Sequence, residues 1–149
     1  MNALDRLLAE RACERLVMRY ALAVNDWDLD AFTALFTEDA VWRRPNVAPL
    51  TGHAQIRGFM ESQPSDRTLR HVNGLCLVEV ADDGASASAV SQTTVYATSP
   101  AGPLPARLVG PDMVVEYRDR IVRQDGRWLF ARRDTTVVFG ATGPGSGRA

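Results

Sequence analysis

The feature that most constrains this chain is a set of four long, strand-like segments in its second half. They are rich in β-branched and alternating apolar residues and occupy residues 68–81, 85–99, 113–123 and 127–139. The sequences Asp82-Asp83-Gly84 and Gln124-Asp125-Gly126 join the first and last pairs, and their glycines supply the positive φ that hairpin turns need. The segments therefore predict an antiparallel sheet of long strands.

Three helices are predicted ahead of these strands. Apolar residues at steps of three and four predict a first helix from residue 3 to about 24. Asn and Asp in the sequence Asn25-Asp26-Trp27-Asp28 compete for backbone hydrogen bonds and end it. A short second helix is predicted over 29–36 with Asp28 as its N-cap, and a third over 53–62.

Helices followed by antiparallel strands predict an α+β domain. Residues 40–44 are predicted to form a short strand before Pro45, and residues 45–52 a loop. Because a sheet of long strands twists and curls, the three helices are expected to close over its concave face and form a cone-shaped barrel with one open mouth. The domain is expected over 1–139, and the Gly-, Ser- and Pro-rich residues 140–149 are predicted to be a disordered tail.

Composition argues against several classes of partner. With 17 basic and 18 acidic residues the net charge is -1, so nothing indicates binding to nucleic acid or to an anionic membrane. The 2 His and 2 Cys are scattered singly and cannot form a structural metal site, and Cys13 and Cys76 are expected to be buried free thiols. No apolar run could span a bilayer and no signal-peptide pattern is visible, so a cytoplasmic location is expected.

Alternation along the third long strand places a carboxylate on its buried face. That face carries Met113, Val115, Tyr117, Asp119 and Ile121. A three-residue turn would bring Arg133 onto the same inner face, opposite Tyr117, whereas a two-residue turn would bring Arg132 there instead. In either register an arginine lies within reach of Asp119, as a buried carboxylate requires. The pair is either a structural ion pair or a device that orients a substrate or a water molecule.

His71 lies within the strand-like segment 68–81 among apolar residues. It shares a face with Asn73, but the other face is equally apolar, so periodicity does not show which face is buried. His71 is either a core residue with one satisfied hydrogen bond or a proton-transfer group at the floor of a pocket. The acidic break near residue 26 favours the second interpretation, because a carboxylate that holds one imidazole nitrogen raises the basicity of the other.

A set of short segments runs along the chain in a fixed order: Tyr20-Ala21, residues 25–30, residues 35–42, residues 52–56, Arg70-His71, Tyr117-Arg118-Asp119 and residues 125–128. From residue 4 to about 138 the chain thereby resembles the SnoaL-like family of the nuclear-transport-factor-2-like superfamily. That family includes scytalone dehydratase, hexachlorocyclohexane dehydrochlorinase and polyketide cyclases. The resemblance implies a curved antiparallel sheet with three helices, no cofactor, and a homo-oligomer, a dimer or a trimer.

The resemblance also implies a His–Asp dyad that abstracts a proton. His71 matches the dyad histidine. Counting back from Asp39-Ala40 puts the dyad aspartate on Asn25, with Asp26 one residue further on. Asp26 is slightly favoured as the partner, since an asparagine would remove the charge of the dyad and weaken the elimination hypothesis.

We therefore predict a cofactor-free lyase or isomerase, dehydratase- or cyclase-like, that acts on a small, hydrophobic, cyclic molecule. The residues expected to contact substrate are Tyr20, Trp42, Phe59, Met60, Asn73, Tyr117, Asp119 and Arg133. One alternative is a non-catalytic binding or assembly module with the same pocket, which Asn25 favours. A second is water activation by Asp119 and an arginine, as in the epoxide hydrolases of the superfamily.

Overall fold

A computed structural model of the chain describes residues 1–108 and 110–140. Along these residues the elements are α1 (Ala3–Asn25), α2 (Leu29–Thr33), β1 (Phe36–Arg43), β2 (Leu50–Thr51), α3 (Gly52–Glu61), β3 (Thr68–Val80), β4 (Ser86–Thr98), β5 (Met113–Gln124) and β6 (Arg127–Gly140). The predicted α+β order is therefore confirmed. Gly140 belongs to β6 rather than to a tail, and residues 141–149 lie outside the described residues.

The strands form one six-stranded sheet in the order β2-β1-β6-β5-β4-β3. The four long strands are antiparallel neighbours, as predicted, whereas β1 pairs parallel to β6. Because β2 and β3 are separate edges, the sheet is open, and the predicted closure into a barrel by three helices is not seen. Helix α1 packs on β3 and α3 packs on β1, so that the helices cover one face of the sheet.

The second helix, α2, is shorter than predicted and ends at Thr33, because Phe36, which was predicted to be its last residue, belongs to β1. Asp28 is the N-cap, as predicted, and its carboxylate accepts a hydrogen bond from the Ala31 N–H at 2.9 Å. The Leu35 carbonyl, however, accepts from the Phe130 N–H at 2.8 Å, and Phe36 pairs with Phe130 in the ladder. Apolar spacing alone could not distinguish these states, since Phe36 is buried in either.

A β-bulge sets the register between β5 and β6. The turn has two residues, Asp125 and Gly126, both with positive φ, and Gln124 pairs with Arg127. That turn was expected to bring Arg132 towards Asp119. The register instead shifts by one residue after Ile121, which leaves Ala131 without a partner and pairs Asp119 with Arg133.

A second bulge explains why both faces of β3 are apolar. The register with β4 shifts between Asn73 and Cys76. On the helix-covered side, Leu69 and His71 precede the bulge, and Val78 and Val80 follow it. A bulged strand exchanges its faces, which strict alternation does not anticipate.

The core beneath the helices is an aromatic cluster centred on Tyr20. The centroid of its ring lies 5.4 to 6.4 Å from five others, those of Phe32, Phe36, Trp42, Tyr117 and Phe130. Tilted and edge-to-face pairs at such distances stabilise a core by about 0.5–1.5 kcal/mol each beyond area burial. Within the described part of the chain, none of the helices has the length and hydropathy of a membrane span.

Candidate functional site

A cavity opens where α1 and α3 meet the inner face of the sheet. Its apolar wall consists of Val24, Trp42, Phe59, Met60, Leu69, Val95, Met113, Val115 and Val137, with Tyr20, Tyr117, Thr135 and His71 as polar members. The half-buried polar residues Arg44, Gln63, Arg67 and Asp112 also line the cavity, and we call the part that they form its open end. Its volume is about 80 Å³. Because a cavity that takes up benzene measures on the order of 150 Å³, a ring-shaped ligand requires side chains to move.

His71 is held at the wall of this cavity by Asn25. The Oδ1 atom of Asn25 accepts a hydrogen bond from the His71 backbone N–H at 2.9 Å and lies 2.8 Å from ring Nδ1. Since that oxygen is an acceptor, Nδ1 carries the proton and Nε2 carries the lone pair. Nε2 has no hydrogen-bond partner among residues 1–108 and 110–140. The base-competent nitrogen is thus the one without a protein partner.

Asp26 does not occupy the position expected for it. It is exposed and caps the C-terminal end of α1, where its N–H donates to the Leu22 carbonyl at 2.9 Å. The slight preference for Asp26 as the partner of His71 is corrected in favour of Asn25. Helix α1 ends at Asn25, and the Asn25 side chain points to His71 of β3. The side chain of the next residue, Asp26, points to solvent.

The environment keeps His71 neutral. Burial, followed by the positive charges of Arg67, Arg133 and Arg44, lowers the pKa of His71 from 6.5 to about 4. Asn25 adds no negative charge to oppose these effects. His71 is therefore a neutral imidazole at physiological pH and a weaker base than an ordinary histidine.

Asp119 and Arg133 form a fully buried, bidentate ion pair beneath the cavity. Arg133 Nε and Nη2 donate to the two Asp119 oxygens at 2.8 and 2.7 Å, and neither side chain is exposed. Three aromatic rings, those of Tyr20, Tyr117 and Phe130, lie 4.1 to 4.2 Å from the guanidinium carbon. Burial opposes the charged form, but attraction to Asp119 outweighs it and the pKa of Arg133 is raised.

The predicted substrate residues separate into two groups. The wall of the cavity includes Tyr20, Trp42, Phe59, Met60 and Tyr117. Asp119 and Arg133 lie behind that wall. Asn73 is not part of the wall either, and its Oδ1 atom accepts a hydrogen bond of 2.8 Å from Thr93 Oγ1. None of these three lines the cavity, and contact between them and a substrate stays a prediction.

Sequence reasoning missed the polar residues of the open end. Arg44 follows β1 and Gln63 follows α3, whereas Arg67 precedes β3 and Asp112 precedes β5. All four lie just outside a helix or strand, where the spacing of apolar residues does not predict whether a side chain is buried or exposed. The one available signal was their position beside predicted strand or helix ends. No group of three His, Cys, Asp or Glu suited to a metal ion occurs among the described residues.

An open α+β sheet with a small cavity under its helices defines a class of small-molecule-binding fold. The sequence matches the SnoaL-like domain over residues 5–134, and the chain belongs to that family. The resemblance predicted from the sequence is thereby confirmed. None of the curated proteins compared with the chain matches it in sequence.

Solved structures agree with this assignment at the level of the fold. A putative scytalone dehydratase from Novosphingobium aromaticivorans is 21% identical with a TM-score of 0.79, over 93% of this chain and 89% of the other. A hexachlorocyclohexane dehydrochlorinase, LinA type 2, is 15% identical with a TM-score of 0.76, over 97% and 99%. A variant of Rv3472, a protein of unknown function from Mycobacterium tuberculosis, is 26% identical with a TM-score of 0.71, over 85% and 69%.

Proposed function

We propose that this protein is a cofactor-free lyase-type enzyme, dehydratase- or cyclase-like, in which His71 transfers a proton to and from a small, largely apolar substrate. One observation carries the proposal. His71 lines the cavity with Nδ1 held by Asn25, so that Nε2 is left as the free proton acceptor. Asn25 is the positioning residue, because its oxygen fixes both the ring tautomer and the backbone of His71.

The low basicity of His71 limits which proton it can remove. A base whose conjugate acid has a pKa of about 4 transfers protons efficiently only from acidified positions. We therefore propose a substrate with its proton on a carbon next to a carbonyl group.

A second candidate is a non-catalytic binding module, and Asn25 is the observation that favours it. A neutral amide does not stabilise an imidazolium, as an aspartate would. By contrast, water activation by Asp119 gains no support, because both of its oxygens are bound by Arg133 and its side chain is fully buried.

The test is the exchange of substrate hydrogen with solvent deuterium, followed by NMR on a panel of β-hydroxy ketones and 1,3-dicarbonyl compounds. We expect at least one compound to exchange rapidly with the wild type and about 10²–10⁴-fold more slowly with His71→Gln. His53→Gln is the matched control, because His53 bonds the Phe36 carbonyl outside the cavity. Compounds that bind in the cavity without any exchange would instead establish a binding module.

A further inference from the structure

We propose that the open end of the cavity is a carboxylate-binding site formed by Arg44 and Arg67, and that the natural ligand is an organic monoanion. Its carboxylate lies between the two guanidinium groups and its apolar part enters the cavity. This inference deepens the proposed function by giving its substrate a chemical class. It depends on the same cavity but not on proton transfer by His71.

Arg44 is fixed in place by stacking rather than by an ion pair. Its guanidinium carbon lies 4.6 Å from the ring centroids of both Trp42 and Phe59. Within the described residues it has no carboxylate partner. Stacking holds a guanidinium by its faces and leaves the N–H groups at its edge available, which is how arginine recognises carboxylates.

Arg67 presents an unsatisfied donor at the same opening. Its Nε atom is buried and has no hydrogen-bond partner in the described part of the chain. Leaving such a donor unpaired is destabilising, and most buried donors are paired. Because Nε has almost no accessible surface, a ligand carboxylate would pair with it only after the Arg67 side chain has moved. Arg67 and His71 line the same cavity, and the positive charge of Arg67 contributes to the low pKa of His71.

The charges at the open end match a monoanion. The charged residues that surround it are Arg44, Arg67 and Asp112, with no ion pair at 4.0 Å or less between them. His71 is neutral and Arg133 is neutralised by Asp119. Two positive charges and one negative charge leave a net charge of +1. Arg44 and Arg67 are the two arginines among the residues that line the cavity, and within the described part of the chain neither is in an ion pair.

The experiment is an NMR titration of the full chain with sodium butyrate, butyramide and inorganic phosphate, observed at the His71 imidazole and the Trp42 indole N–H. Butyrate and butyramide share the apolar chain and differ in the charge of the head group. We expect butyrate to bind at least about tenfold more tightly than butyramide and more tightly than phosphate. Equal binding of butyrate and butyramide would overturn the proposal, and so would tighter binding of phosphate.

Substitutions assign the effect to the two arginines. Arg67→Met is expected to weaken butyrate binding about tenfold or more without changing butyramide binding, and Arg67→Lys to retain part of the affinity. Arg70→Met is the matched control, because Arg70 is exposed and lies outside the cavity. Arg44→Gln should act like Arg67→Met, and folding is checked from the spectrum of each variant. Unchanged butyrate affinity in folded Arg67→Met and Arg44→Gln would exclude this site.

His71→Gln separates this proposal from the proposed function. If the carboxylate site exists, His71→Gln retains selective butyrate binding, whether or not the wild type exchanges substrate hydrogen. If proton transfer exists without a carboxylate site, the exchange depends on His71 while butyrate and butyramide bind alike. The two proposals therefore fail on different measurements.

Discussion

A single oxygen of Asn25 contacts both the backbone and the ring of His71. Its Oδ1 atom lies 2.9 Å from the His71 backbone nitrogen and 2.8 Å from ring Nδ1. The orientation of the imidazole is therefore fixed by a neutral group. Orientation and charge, which an aspartate at residue 25 would supply together, are separated in this protein, and each can be tested alone.

Asn25→Asp adds the missing charge without changing the shape of the side chain. We expect the pKa of His71 to rise from about 4 towards its ordinary value of 6.5, because a carboxylate stabilises the imidazolium while burial and the nearby arginines still oppose it. An NMR pH titration of the imidazole measures this directly. If His71 is a base in catalysis, solvent exchange should quicken with the pKa. A pKa that stays near 4 would show that Asn25 does not govern the ring in solution.

The low pKa of His71 predicts how stability depends on pH. Between pH 6.5 and about pH 4 the unfolded chain binds a proton at His71 and the folded chain does not. The free energy of unfolding therefore falls as the pH drops through this window, by on the order of 3 kcal/mol from this residue. Urea denaturation at several pH values should show a steeper decline for the wild type than for His71→Gln. Parallel curves would contradict the prediction.

Asp119→Asn tests the buried ion pair. Removal of one partner leaves an uncompensated charge on Arg133, which has no exposed surface, and should cost about 3–5 kcal/mol of unfolding free energy. Asp134→Asn is the control, since it breaks the partly exposed pair with Arg132 on the other face and should cost no more than about 1 kcal/mol. Similar losses in the two variants, measured by urea denaturation, would disagree with this account.

Met60→Ala should enlarge the cavity enough to admit a ring. Met60 lines the cavity and is nearly inaccessible to solvent, so its truncation should cost about 2–5 kcal/mol of stability. Part of that loss should be recovered in the presence of benzene or a similar apolar ring. Met18→Ala truncates an exposed methionine of α1 and should show neither effect. Thermal unfolding with and without the ring compound measures both.

The sequence predicted the elements well because its periodicities are long and uninterrupted. The pattern of β5 identified Met113, Val115, Tyr117, Asp119 and Ile121 as one buried face. Met113 is half-buried and the other four are buried. It could not decide which face of β3 is inside, because a one-residue bulge exchanges the two faces within the strand. A bulge has no consistent signal in a sequence in which both faces are apolar.

The candidate site was only partly predictable. His71 stood out because histidine is rare in this chain and uncommon in an apolar strand. Arg44 and Arg67 did not, since each flanks a separate element and only the fold brings them to one opening. The choice between Asn25 and Asp26 depended on the backbone direction at the last turn of α1, which adjacent residues in a sequence do not reveal.

The bulge at Ala131 has a consequence for how this chain can vary. It makes Arg133 rather than Arg132 the partner of Asp119, although the two arginines are neighbours. If the strand kept Ala131 but lost the bulge, the two-residue turn would pair Asp119 with Arg132 and turn Arg133, with its three surrounding rings, to solvent. Deletion of Ala131 itself would leave a regular ladder in which Asp119 still pairs with Arg133. We therefore expect homologous chains to have either a bulge or one residue fewer at this point, so that the length of β6 and the presence of the bulge vary together.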